Sequence, residues 1–276
     1  MPRPAIGFGA CQTGVILRDV IDSHAHIGRC AAPPAAVLGR ARDGGVGRIL
    51  EVGLDEQSNA AAIAIAAAHP EVFAAVGRHP NAAAGFDDDR AAAIEALAAH
   101  PKVRAIGETG LDLYRDAAPV EAQRRAFAAQ VEIAARLALP VVIHVRDGAG
   151  PGEGAAVAEV FETLRRSAGS PVILHCFSAT PARALEAAEF GWYCSFAGNV
   201  TYPSAETLRT AAALVPDHLI LVETDSPYLA PVPHRGKNNE PANVTLTAAT
   251  VASARGIGID QLEALVDENA ARLFGW

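Results

Sequence analysis

Lysine is almost missing from this chain of 276 residues, which has Lys102 and Lys237 and otherwise relies on arginine. With 23 basic and 31 acidic side chains the net charge is −8, so no broad basic surface is available to hold a polyanion. A local basic site stays open, above all one whose charge comes from bound cations. No apolar run is long enough to span a membrane. The four cysteines, Cys11, Cys30, Cys176 and Cys194, form no Cys-x-x-Cys pair, which in a chain of this length points to reduced thiols rather than a disulfide scaffold. The opening "MPRPAIGFGACQTG" lacks the apolar core and cleavage pattern of a secretory signal, so a cytoplasmic location is expected. No Gly-rich turn follows the first apolar run, which removes the main support for a dinucleotide-binding sheet.

What the chain does have is alternation. Short apolar runs such as "DVIDSHAHI", "VGRILEVGL", "VRAIGETGLD", "PVVIHVRD" and "HLILVETDSP" are separated by longer alanine-rich segments with helical spacing. Several of these segments open on Asp, Ser, Glu or Pro, as helix starts prefer. Eight such runs are found, and they read as nearly continuous apolar stretches, the pattern of strands buried on both faces. The expected fold is a (β/α)₈ TIM barrel, typically about 250 residues, spanning residues 19–276 as one domain. Residues 1–18 carry neither strand nor helix periodicity and are expected to be an extension with little structure of its own.

Reading each strand to its end gathers one kind of chemistry. The first ends in His24-Ala25-His26, the third in His79, the fourth in Glu108, the fifth in His144, the sixth in His175 and the eighth in Asp225. In a barrel these positions converge on the C-terminal mouth, where such folds place their active sites. Singly, each residue has an ordinary explanation as a cap or a satisfied core group; together they suit divalent metal binding without thiolate, by Zn²⁺, Mn²⁺ or Mg²⁺. Six ligands exceed the needs of one tetrahedral ion and suit two ions roughly 3.5–4 Å apart. Water held by such ions is a nucleophile near neutral pH, so the reaction class is hydrolysis.

The stretches "DSHAHI", "GRHPN", "GETGLD", "HVRD", "LHCFS", "ETDSPYL", "RGKNNEPAN" and "NAARLFG" occur in this order. Over residues 19 to the C-terminus the sequence resembles the TatD-type metal-dependent hydrolases, a branch of the amidohydrolase superfamily that includes deoxyribonucleases. The resemblance implies that His24, His26 and Asp225 hold one metal, that Glu108 bridges both, and that His144 and His175 hold the second. Glu108 and Asp225 are then the catalytic carboxylates, Asp225 orienting or deprotonating the attacking water. Glu223 is a candidate for orienting a ligand, or alternatively for closing the barrel floor. Relatives that cleave cyclic amides bridge their metals with a modified lysine at the end of strand 4. Lys102 lies at the wrong end of that strand, which favours the phosphodiesterase-like branch.

For a substrate phosphate the candidates are His79, Arg146, Arg235 and Lys237. Tyr114, Phe177 and Tyr228 follow ligand motifs and are candidates for stacking on a base. Three positions depart from the family pattern. Asn81 stands where a second histidine is usual, Thr109 where an aliphatic is preferred and Asn238 where arginine is common. The first and third are expected to cost phosphate contacts. The resulting expectation is a monomeric exodeoxyribonuclease with two divalent ions, in which a metal-bridging hydroxide attacks phosphorus on DNA with little sequence preference. The alternatives are a hydrolase of a carbonyl ester or amide, including an aminoacyl ester on transfer RNA, and a non-catalytic binding protein on the same scaffold.

Overall fold

The computed structural model describes residues 20–115, 117–148, 154–166 and 169–276. The expected N-terminal extension therefore lies outside the described residues. Eight parallel strands stand in sequence order: β1 (Val20–Ala25), β2 (Val46–Val52), β3 (Val72–Val76), β4 (Val103–Asp112), β5 (Val141–Arg146), β6 (Val172–Leu174), β7 (Tyr193–Phe196) and β8 (Ile220–Val222). The helices α1 (Pro34–Asp43), α2 (Glu56–Ala68), α3 (Asp88–Ala98), α4 (Val120–Leu137), α5 (Ala155–Arg166), α6 (Pro181–Glu189), α7 (Glu206–Leu214), α8 (Val244–Arg255) and α9 (Ile259–Phe274) pack outside. This is the TIM barrel that the alternation implies.

The strands form because both of their faces are buried. All six residues of β1 are buried, and Val141, Val142 and Ile143 of β5 repeat the pattern. The helices bury one side: in α4, Ala122, Ala126, Phe127, Gln130, Val131 and Ala134 follow helical spacing onto the barrel. Their starts are specified locally. The Asp55 carboxylate accepts from Ser58 N while the Ser58 hydroxyl returns to the backbone of Asp55, a closed capping box on α2. Gly256, at φ 69°, ends α8 in the left-handed region.

Three strands are shorter than the apolar runs that announce them. β6 stops at Leu174, β7 at Phe196 and β8 at Val222, so His175 and Asp225 stand on the loops just beyond. Between β1 and β2 lies α1, which "PPAAVLGRARD" starts with proline at its first turn; it is absent from the sequence reading.

The seam between β1 and β8 is closed by few backbone bonds. His26 N donates to Ser226 O (2.8 Å) and Asp225 N to His24 O (2.9 Å). Side chains supply the rest. The Asp22 carboxylate accepts from Thr224 N (2.9 Å) and the Thr224 hydroxyl (2.5 Å), and the Ser23 hydroxyl donates to Val222 O (3.0 Å). Burial pushes the Asp22 carboxyl up to about 8, against the hydrogen bonds from Thr224 and His24 N.

Candidate metal centre

Glu108 sits at the middle of the mouth and divides its two oxygens between two groups of histidines. Its Oε2 faces His24 Nε2 (3.4 Å) and His26 Nε2 (3.8 Å). Its Oε1 faces His144 Nδ1 (2.7 Å), His175 Nε2 (3.1 Å) and His79 Nε2 (3.6 Å). Asp225 Oδ1 closes the first group, 3.5 Å from His26 Nε2 and 4.0 Å from His24 Nε2. Three sets have ligand atoms within 4.8 Å of one another: His24, His26 and Asp225; His24, Glu108 and His175; His79, Glu108 and His144. All six residues to which the sequence assigns metal binding thus meet at one place, with His79 among them.

The backbone of β4 makes this convergence possible. Gly110 pairs with His144 across β4 and β5, and its φ is 140°. A Cβ at Gly110 would lie 1.9 Å from the His144 carbonyl oxygen. Only glycine lets the strand carrying Glu108 approach the one carrying His144 so closely.

Each histidine offers one nitrogen inward, and in His26 and His175 a bond on the other nitrogen decides which. His26 Nδ1 bonds Val52 O (2.8 Å), leaving Nε2 for the site. His175 Nδ1 bonds Glu223 Oε1 (2.9 Å), which also accepts from Cys176 N (2.9 Å). Glu223 therefore touches a candidate ligand and not the barrel floor. His144 is reversed: its Nδ1 points at Glu108 and its Nε2 faces Asp112 Oδ2 at 3.4 Å without closing a hydrogen bond. His24 Nδ1 has no partner among the described residues, although the side chain is fully buried.

The charges balance internally. Burial raises Glu108, but His175, His79 and His144 together hold its carboxyl well below the usual range. Burial likewise opposes the charge on His175, which Glu223 and Glu108 overcome, raising it well above the usual imidazole value. Asp225 is held low, against burial, by the bond from His26 and the charge of His175. Burial pushes His79 down to about 3 despite Glu108 beside it, so it offers a hydrogen bond rather than positive charge. The residues fit a divalent cation. His24 Nε2 and His26 Nε2 lie 3.3 Å apart with two carboxylates around them, an arrangement of lone pairs that only a cation or shared protons satisfy.

Sequence reasoning missed Asp112 and Glu51. Asp112 is buried and accepts from Tyr114 N and Arg115 N (both 3.0 Å) and from Asn81 Nδ2 (2.9 Å). Its signal was spacing: four residues beyond Glu108 on an extended strand, it shares the same face. Glu51, at the end of β2, accepts from Ile27 N (2.5 Å) and Gly28 N (3.0 Å) and so fixes the chain just after His26. Asn81 belongs to the Asp112 chain and is not simply a lost phosphate contact. Thr109 is explained as well, since its hydroxyl accepts from Gln130 Nε2 (2.7 Å) in a buried setting no aliphatic could satisfy. Nothing in the structure explains Asn238, which is exposed.

The other candidates sit further out. Arg146 is exposed, its guanidinium carbon 4.0 Å from the ring centre of Tyr114, and Arg235 lies 4.5 Å from the ring centre of Tyr202. Lys237 is exposed on the loop after β8. Phe177 is buried against Phe196 (5.8 Å between ring centres), so it packs and is not available to a base; Tyr228 is exposed beside His26. Lys102 donates to the carbonyls of His69, Pro70 and Val72 at the opposite end of the barrel.

A barrel whose mouth gathers these histidines and carboxylates is that of a metal-dependent hydrolase. Residues 21–275 match the TatD related DNase family, and the chain belongs to it. It is 34% identical over 259 residues to the uncharacterized metal-dependent hydrolase YabD of Bacillus subtilis, covering 92% of this chain and 98% of that one. It is 36% identical over 244 residues to the 3'-5' ssDNA/RNA exonuclease TatD of Cronobacter sakazakii, covering 86% and 90%. Among solved structures, the TatD homologue YjjV of Escherichia coli K12 superposes with a TM-score of 0.86 at 26% identity, over 95% of this chain and all of that one. No helix among the described residues is long and apolar enough to cross a membrane.

Proposed function

We propose that this protein is an exonuclease that hydrolyses phosphodiester bonds at an end of single-stranded nucleic acid, using two divalent ions. The observation that carries the reading is the division of Glu108, with one oxygen toward His24 and His26 and the other toward His144 and His175. His24, His26 and Asp225 would hold one ion, His144 and His175 the other, and Glu108 both; Zn²⁺, Mn²⁺ and Mg²⁺ suit this donor set. Bound ions supply an acidified water and neutralise charge on phosphoryl oxygens. The nuclease name of the Cronobacter relative and the family match support the choice of substrate.

The remaining work falls to the chain itself. Asp225 is a carboxylate at neutral pH and stands at the mouth, where it orients the attacking water and takes its proton. Arg146 presents a guanidinium fork to phosphate oxygens from the end of β5, and Arg235 and Lys237 add positive charge from the loop after β8. His79 donates or accepts a single hydrogen bond beside Glu108. Because contacts of this kind engage phosphate, little base preference follows.

The test is protein reconstituted with Mg²⁺, Mn²⁺ or Zn²⁺, incubated with end-labelled single-stranded DNA and RNA and, in parallel, with carbonyl esters. Stepwise shortening that stops with chelator or with Glu108→Ala supports the reading. Intact nucleic acid beside rapid ester turnover overturns it in favour of a carbonyl hydrolase.

A further inference from the structure

Three of the four tyrosines, Tyr114, Tyr202 and Tyr228, lie just beyond the C-terminal ends of strands, around the mouth. Tyr114 is 56% exposed and Tyr228 46%, unusual for rings that a barrel can otherwise bury. Two of the three carry an arginine on one face. Arg146 covers Tyr114 at the β4 and β5 side, and Arg235 covers Tyr202 at the β7 and β8 side. Tyr202 is braced there: its hydroxyl donates to Ala230 O (3.1 Å), and Val232 N donates to the neighbouring Thr201 hydroxyl (2.9 Å). Gly198 keeps the two loops together, since a Cβ on it would lie 2.1 Å from Leu229 O. Arg146 ends β5 two residues past His144, and Tyr202 and Arg235 stand on the loops after β7 and β8, so both pairs lie at the C-terminal end of the barrel.

We propose that the pairs Tyr114–Arg146 and Tyr202–Arg235 are two nucleotide-holding positions flanking the metal ligands, so that the substrate is a strand several nucleotides long and not a dinucleotide or small ester. The inference rests on the nuclease reading. In each pair the guanidinium reaches a phosphate and the tyrosine, covered on one face by that guanidinium, stacks on a base. Tyr228 lies edge-on to the candidate ligand His26, with ring centres 6.1 Å apart. Stacking is tolerant of base identity, which suits an enzyme that trims any sequence.

The experiment measures kcat/KM of the metal-loaded enzyme on oligothymidylates of two, four, six and eight nucleotides. For the wild type the value rises with length and then levels. Tyr114→Ala and Tyr202→Ala each raise KM on the longer substrates by about tenfold, the scale of one lost stacking contact, and flatten the length dependence, whereas Tyr114→Phe restores it. Arg235→Ala lowers the slope of log KM against log salt by about 0.7, the value for one phosphate contact on a single strand. Wild-type enzyme that cleaves all lengths equally, or tyrosine variants that keep the wild-type length dependence, overturns the inference while leaving the nuclease reading standing. Failure to cleave any length overturns the nuclease reading itself.

Discussion

Replacing Asp112 by asparagine tests whether the mouth is held in one protonation pattern. The carboxylate uses Oδ1 for two backbone N–H groups, Tyr114 N and Arg115 N, so an asparagine must keep its oxygen there. Its amide nitrogen then takes the place of Oδ2, which now accepts from Asn81 Nδ2 and faces His144 Nε2. Asn81 adapts by turning its own amide, because its Oδ1 has no partner among the described residues and can accept from the new amide. His144 cannot adapt. A donor opposite Nε2 makes that nitrogen an acceptor and moves the ring proton to Nδ1, the atom 2.7 Å from Glu108. Nδ1–H cannot ligate a metal. Loss of an outer partner of a ligand histidine typically costs 10–100-fold in metal affinity; for a contact as long as 3.4 Å the lower end applies, about 1.4 kcal/mol. We expect Asp112→Asn to lose that much affinity for one of the two proposed ions in a chelator-competition titration. The melting temperature of the metal-free protein should change by less than about 2 °C, since the backbone bonds persist. Unchanged affinity for both ions would refute the argument, and a large fall in melting temperature would reduce Asp112 to a packing role.

Three further outcomes follow from the same contacts. Gly110→Ala places a methyl 1.9 Å from His144 O, so β4 and β5 must part by more than 1 Å; a loss of about 3 kcal/mol or more, read as a fall of ~6 °C or more in melting, should accompany weaker metal binding. Glu223→Gln keeps an oxygen for both Cys176 N and His175 Nδ1, whereas Glu223→Ala removes it, so titration should show the alanine variant losing at least tenfold more metal affinity than the glutamine variant. Asn269→Ala strips the donors from Asp217 O and Ile220 O at the base of β8 and should cost about 2 kcal/mol with no change in metal affinity. Equal affinity losses in Asn269→Ala and Asp112→Asn would show that metal binding merely tracks stability.

The fold was readable because its two periodicities differ so plainly. Val141, Val142 and Ile143 are buried on both faces of β5, whereas α4 alternates buried and exposed turns, and neither pattern suits the other element. The candidate ligands were readable because histidines and carboxylates recur at the ends of several strands, although each alone has an ordinary explanation. Strand ends were less readable. "VILHCFS" and "LILVETDSP" are apolar enough to continue, yet β6 and β8 end at Leu174 and Val222, and Cys176 and Asp225 beyond them adopt positive φ, at 45° and 53°. α1 was missed because its apolar residues, Val37, Leu38 and Ala41, are few and follow two prolines. Asp112 was open to its spacing from Glu108 on β4, but Glu51 and the role of Asn81 depend on contacts between β1, β2, β4 and the loop after β3, and no single strand carries that information.

The seam described above joins the first strand of the barrel to the last, and the groups that would share one ion lie on either side of it. His24 and His26 are made early in synthesis and Asp225 late, with some two hundred residues between them. A nascent or clipped chain lacking β8 therefore holds two imidazoles without the carboxylate that completes their set. An ion held by this set would join the first strand to the last, a clasp on the closed barrel. On the proposed function, a copy without β8 would lack the complete set, a useful property in a protein whose work would be to dismantle nucleic acid.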